Sequence, residues 1–157
     1  MSRDNYLYEK QASMKQLLVV EDSRLMRTAI KRILVGAGFG VVDVSDGEEA
    51  LQLARQSRLD LIILDMLLPK MGGELVLRSL KQDPTTTNIP VIVVSSLSQS
   101  NADKLKNNGA IAYIEKSKLD LMTGGENLLR LVDAVLRKSI PSISCSAGLE
   151  AAREKVS

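Results

Sequence analysis

The stretch Leu17-Leu18-Val19-Val20-Glu21-Asp22-Ser23 reads as a short apolar strand that stops abruptly in two acids and a hydroxyl. The pattern recurs along the chain. Leu61-Ile62-Ile63-Leu64 runs into Asp65, Val91-Ile92-Val93-Val94 into Ser95, and Ile111-Ala112-Tyr113-Ile114 into Glu115-Lys116. A further run, Val41-Val42 with Val44, ends in Ser45-Asp46-Gly47. Nearly continuous apolar runs of this length suit parallel strands covered on both faces. Their carboxyl ends would then share one edge of a sheet, which is where ligands bind in open α/β folds. Glu21, Asp22 and Asp65 with the Ser95 hydroxyl and the Lys116 ammonium would converge there, a donor set suited to Mg²⁺ and a phosphoryl group.

Helical periodicity fills the intervals between the strands. Ser23 is placed to cap a helix carrying Leu25, Ile30, Ile33 and Leu34 near one face, with Gly36 and Gly38 to stop it. The second strand is expected from about Phe39 to Val44. The next helix runs Gly47 to Ser57 with Ala50, Leu53 and Ala54 inward. A loop with Pro69 and Gly72-Gly73 leads to a helix bearing Leu75, Val76 and Leu80, ended by Asp83-Pro84. A short polar helix, roughly Gln99 to Asn108, closes on Gly109. The last helix carries Leu128, Leu129, Val132, Val135 and Leu136, with Thr123 and Glu126 at capping-box spacing. Alternating strands and helices of these lengths imply an α/β fold, a doubly wound parallel sheet with right-handed crossovers. Residues 1–14 read as an N-terminal extension, 15–138 as the folded domain and 139–157 as a C-terminal tail.

Composition narrows the function classes. The chain has 157 residues, 45% of them hydrophobic and 25% charged, as in ordinary globular proteins. A net charge of +2, with Lys and Arg spread out, argues against direct nucleic-acid binding. No apolar run approaches the roughly 18 residues of a membrane helix. Met1 to Met14 lacks the apolar core of a signal peptide. The single cysteine, Cys145, can form no internal disulfide, so a cytoplasmic location is expected. There is no histidine, which rules out phosphohistidine on this chain, Ser-His-Asp or Cys-His catalysis, and imidazole metal ligands.

Taken together, the motifs resemble the receiver domain of bacterial response regulators, of the CheY-like superfamily. The likeness rests on Val19-Val20-Glu21-Asp22-Ser23, on Leu64-Asp65-Met66 with Pro69 and Met71-Gly72-Gly73, on Pro90 to Ser96, and on Gly109-Ala110 leading to Tyr113 and Lys116. The resemblance implies a flavodoxin-like (βα)₅ fold with a five-stranded sheet in the order 2-1-3-4-5. It implies that Asp65 accepts a phosphoryl group from a sensor histidine kinase with Mg²⁺ or Mn²⁺ bound. Asp22 and Asp65 would ligate the ion directly, Glu21 through a water, and Leu67 through its backbone carbonyl. Lys116 would pair with a phosphoryl oxygen, and Ser95 would donate a hydrogen bond to the same group. Tyr113 would move between outward and inward positions as Ser95 shifts, biasing a two-state equilibrium read by a partner.

Two departures stand out. The residue after the lysine is Ser117 where the family commonly has a cis proline, so a trans bond is expected. The loop from Lys116 to Leu128 is longer than usual, which alters a face where partners dock. Leu67 and Leu97 stand two residues beyond Asp65 and Ser95, where the family flanks the attacking water. Neither side chain can orient a water, so slow self-dephosphorylation is expected.

The expected protein is a single-domain regulator, monomeric or weakly dimeric, with only self-phosphorylation and self-dephosphorylation chemistry. Alternatives within signalling are a receiver fragment of a longer regulator and a relay that passes phosphate to a phosphotransfer protein. An aspartyl phosphatase would want a second acid where Leu67 stands. A nucleotide-binding flavodoxin-like protein would want a glycine-rich loop where Glu21-Asp22 stands.

Overall fold

The computed structural model of the protein describes residues 3–5, 14–96 and 102–138. Among the described residues from 14 onward five strands alternate with five α-helices: β1 Gln16–Val20, α1 Arg24–Gly36, β2 Gly40–Val44, α2 Gly47–Gln56, β3 Leu61–Asp65, α3 Gly73–Gln82, β4 Val91–Ser95, α4 Ala102–Asn107, β5 Ala112–Glu115 and α5 Glu126–Lys138. The strands form one parallel sheet in the order β2-β1-β3-β4-β5, the order expected.

Alternation along each strand divides the core in two. Leu18, Val20, Ile62, Leu64, Val91 and Val93 face one side, where α2 adds Ala50 and Ala54, α3 adds Val76 and Leu80, and α4 adds Leu105. Leu17, Val19, Leu61, Ile63, Ile92 and Val94 face the other, against Ile30 and Leu34 of α1 and Leu128, Val132 and Val135 of α5. Every residue of β3 and β4 is buried. Both faces of these two central strands are therefore dry, and they can expose their chemistry only at their ends.

The structure differs from the sequence reading at several edges. Leu25 is 82% exposed rather than inward. It stands five residues before Ile30, roughly 140° round a helix, whereas Met26 at the four-residue spacing packs on the core. Leu75 is likewise exposed, and Leu77 takes the inward place beside Val76 and Leu80. Phe39 lies outside β2 because its amide donates to the Leu34 carbonyl, capping α1, and the ladder starts at Gly40. Ile111 precedes β5 and is exposed.

Thr123 does not cap α5. Its hydroxyl donates to the Asp120 carbonyl, while the Gly125 carbonyl accepts the Leu129 amide at the helix start. The long loop after β5 folds into two 3₁₀ turns, Lys116–Lys118 and Leu121–Thr123. All described peptide bonds, Lys116-Ser117 among them, are trans. Leu97, the expected helix start at Gln99, Cys145 and the tail 139–157 lie outside the described residues, as does most of the expected extension 1–14.

Candidate functional site

The parallel register brings the strand ends level. Val20 pairs with Leu64, Asp65 with Val94, and Ser95 with Glu115. Glu21, Asp65, Ser95 and Lys116 thus share one edge. Beside β1 and β3 the strand order reverses and the connecting helices part to opposite faces.

Asp65 is the last residue of β3 and is 1% exposed. Its Oδ1 accepts the Leu67 amide at 3.1 Å. Its Oδ2 accepts from the Lys116 ammonium at 3.0 Å. Glu21, also 1% exposed, follows β1 directly. Its amide donates to the Val44 carbonyl, and its Oε1 accepts the Ser23 amide at 3.1 Å. Lys116 lies 3.1 Å from Glu21 Oε2 and so bridges the two buried carboxylates. Asp22 is exposed, yet one carboxylate oxygen from each of Glu21, Asp22 and Asp65 lies within 4.8 Å of the others.

The electrostatics of this cluster are unbalanced. Burial, followed by the charge of Asp65, pushes the Glu21 carboxyl above its ordinary value, while Lys116 and the Ser23 amide pull it down. Burial disfavours the Lys116 ammonium, but its hydrogen bonds and charge pairs with Asp65 and Glu21 outweigh that and raise it. The Lys116 ammonium pairs with two of the three clustered carboxylates, Glu21 and Asp65. Three hard oxygen donors in one recess fit a divalent cation such as Mg²⁺, and nothing in the donor set suits a soft metal.

Two supports hold this geometry. A Cβ on Gly73 would collide with the Asp65 carbonyl and come within 2.6 Å of Met66 Cα, so only glycine lets α3 begin against the acid's own backbone. Ser23 caps α1 by accepting the Met26 amide, leaving Glu21 and Asp22 free to point into the cluster.

Ser95 is fully buried, and its side chain shares a hydrogen bond with the Tyr113 hydroxyl. Tyr113 is half-buried and packs on the α2–α3–α4 side of the core. Burial, then the charge of Glu115, raises its phenol above the ordinary value. Leu67 is 53% exposed at the rim. The structure therefore gathers Glu21, Asp22, Asp65 and Lys116, with Leu67 against Asp65 and Ser95 linked to Tyr113.

Arg27 was not singled out by any motif. Its Nη1 donates to the Glu21 carbonyl at 2.9 Å and the Asp22 carbonyl at 3.3 Å, and its Nε to Asp43 at 3.1 Å. The signal that could have pointed to it is Asp43, a lone charge inside Val41-Val42-Asp43-Val44.

The model of the response regulator receiver domain matches residues 17–123, more than half of the chain. This chain belongs to the response regulator receiver family. The receiver is 34% identical over 103 residues to the polar-differentiation response regulator DivK of Brucella anthropi, covering 65% of this chain and 84% of that one. Among solved structures it resembles a CheY-like receiver domain protein from Methanospirillum hungatei, with a TM-score of 0.72 and 26% identity over 81% of this chain and 97% of that one. It also resembles the phosphorylated cyanobacterial phytochrome response regulator RcpA, with a TM-score of 0.68 and 32% identity over 76% of this chain and 91% of that one.

Proposed function

We propose that this receiver is the phosphoacceptor of a two-component system, taking a phosphoryl group on Asp65 from a sensor histidine kinase. The observation that carries the reading is the Lys116 ammonium, 3.0 Å from Asp65 and 3.1 Å from Glu21, in a recess of three converging carboxylates. Asp22, Asp65 and the Leu67 carbonyl would hold Mg²⁺ or Mn²⁺, with Glu21 acting through a water. When bound, the cation supplies charge neutralisation for the incoming phosphoryl group.

The chain's own residues do the rest. The Leu67 amide holds one oxygen of Asp65 and so fixes the orientation of the carboxylate for attack. A bond forms from a carboxylate oxygen to phosphorus as the phosphorus–nitrogen bond to the kinase imidazole breaks, and the electron pair leaves with the ring nitrogen. Lys116 exchanges its contact with the free carboxylate for one with a phosphoryl oxygen. The Ser95 hydroxyl turns toward the phosphoryl group and carries Tyr113 with it, so a downstream target meets a changed surface.

The likeness to RcpA, whose solved structure is of the phosphorylated protein, supports this reading. The receiver turns over no other substrate and works in the cytoplasm as a monomer or weak dimer. No helix among the described residues is long and apolar enough to cross a membrane.

The test is intact mass after incubation with Mg²⁺ and acetyl phosphate. One added phosphoryl group is expected, absent in Asp65→Asn and without Mg²⁺. A wild-type protein that gains no mass would overturn the assignment.

A further inference from the structure

Arg27 of α1 ties the acid pair to the far edge of the sheet. Its Nη1 donates to the Glu21 carbonyl at 2.9 Å and the Asp22 carbonyl at 3.3 Å. Its Nε donates to Asp43 Oδ2 of β2 at 3.1 Å, while Lys31, one turn further along α1, holds Asp43 Oδ1 at 2.7 Å. The guanidinium side chain is only 18% exposed, so solvent competes weakly for these contacts. The Glu21 amide already donates to the Val44 carbonyl. β2 thus grips the turn twice, directly through Val44 and through Asp43 by way of Arg27.

We infer that Arg27, braced by Asp43, is a positioning residue for the cation: it fixes the Glu21-Asp22 backbone and so aims both carboxylates at Asp65. This rests on the proposed metal site. A planar fork is needed, because one group must reach an acid on β2 and two carbonyls after β1 at once. Lysine, with a single nitrogen, cannot span them.

Charge and geometry make opposite predictions here. By Coulomb's law alone, deleting a cation beside an acidic cluster tightens binding of a divalent ion. Loss of positioning weakens it, and groups that orient metal ligands typically cost roughly 10- to 100-fold in affinity when removed.

The experiment is calorimetric titration of the metal-free, full chain with Mn²⁺ and with Mg²⁺, alongside metal-free thermal unfolding and the amide resonances of Glu21 to Ser23. Arg27→Ala is expected to bind about 10-fold more weakly, and Arg27→Lys, which keeps the charge, to be weakened too. Both shift the Asp22 and Ser23 amide resonances before metal is added. Lys31→Met removes the other cation from Asp43 and is expected to lose comparable stability while keeping wild-type affinity and resonances. Should Arg27→Ala fail to fold, Arg27→Lys carries the comparison. Equal or tighter binding by the Arg27 variants, or unmoved amide resonances, overturns the positioning role. A wild-type protein that binds neither ion overturns the metal site instead, and the metal-free resonances still judge Arg27's hold on the turn.

Discussion

The Lys116 ammonium donates to Asp65 at 3.0 Å across a sequence separation of 51 residues, and in the same position meets Glu21. Among the described residues it is the one cation ion-paired to both Glu21 and Asp65, so it bears on both the stability and the reactivity of that cluster. Breaking a buried ion pair costs roughly 3–5 kcal/mol. Lys116 keeps partial solvent contact, 21%, which places Lys116→Met nearer 2–3 kcal/mol as a rough expectation. Urea unfolding in EDTA should show that loss, and millimolar Mg²⁺ should restore part of it, because the ion replaces the missing positive charge. Acetyl-phosphate labelling of the same variant should be slow.

Ser95 connects the strand end to Tyr113. Ser95→Ala removes one hydrogen bond, worth about 1 kcal/mol of stability. It should still take up phosphate on Asp65, since the acid, the lysine and the acid pair are untouched. The Tyr113 ring resonances should then fail to move on phosphorylation, whereas they move in the wild-type protein. A normal Tyr113 response in Ser95→Ala would refute the coupling.

Leu67 holds Asp65 with its backbone amide but offers only an alkyl side chain at the rim. Leu67→Asn keeps the backbone contact and adds a group able to orient an attacking water. One hydrogen bond of about 1 kcal/mol in the transition state corresponds to roughly fivefold in rate. The acyl-phosphate lifetime should shorten by about that factor, followed by loss of mass label over time. An unchanged lifetime would count against a water-excluding role for the leucine.

Asp43 predicts the acid limb of the stability curve. Its hydrogen bond with Lys31, aided by Arg27 and opposed by burial, holds the carboxyl below its ordinary value of 3.8. A carboxyl lowered on folding stabilises the protein above its unfolded value and loses that contribution as pH falls through the folded value. Asp43→Asn should therefore be less stable than wild type at pH 7, by about 1–2 kcal/mol for two charge-assisted contacts at a partly exposed site. The gap should close below pH 3.8, over the range where Asp43 itself takes up a proton. Urea midpoints at neutral pH and near pH 3 would show it.

The elements that were legible in the chain were those whose cause is local. β3 and β4 announce themselves as apolar runs because both faces are buried, and Ser23 caps α1 with its own hydroxyl. Glu21, Asp22, Asp65 and Lys116 could be nominated because each stands within two residues of the end of such a run. The misplaced residues were those decided by neighbours. Leu25 looked inward by composition, but the phase of α1 on the sheet turns Met26 in instead. Thr123 had capping spacing, but the turn at Asp120 claims its hydroxyl.

The order of apolar and polar residues, by itself, determined the α/β class, the strand ends and the identities of the acids and the lysine, because backbone hydrogen bonding and burial act residue by residue. Only the tertiary structure decided that Lys116 bridges Glu21 and Asp65, that Ser95 joins Tyr113, and that Arg27 reaches back to the Glu21 and Asp22 carbonyls. Those contacts arise from strand register and helix phase, which bring Lys116 to carboxylates 51 and 95 residues away in the chain and turn the Arg27 side chain back onto the carbonyls that precede its own helix.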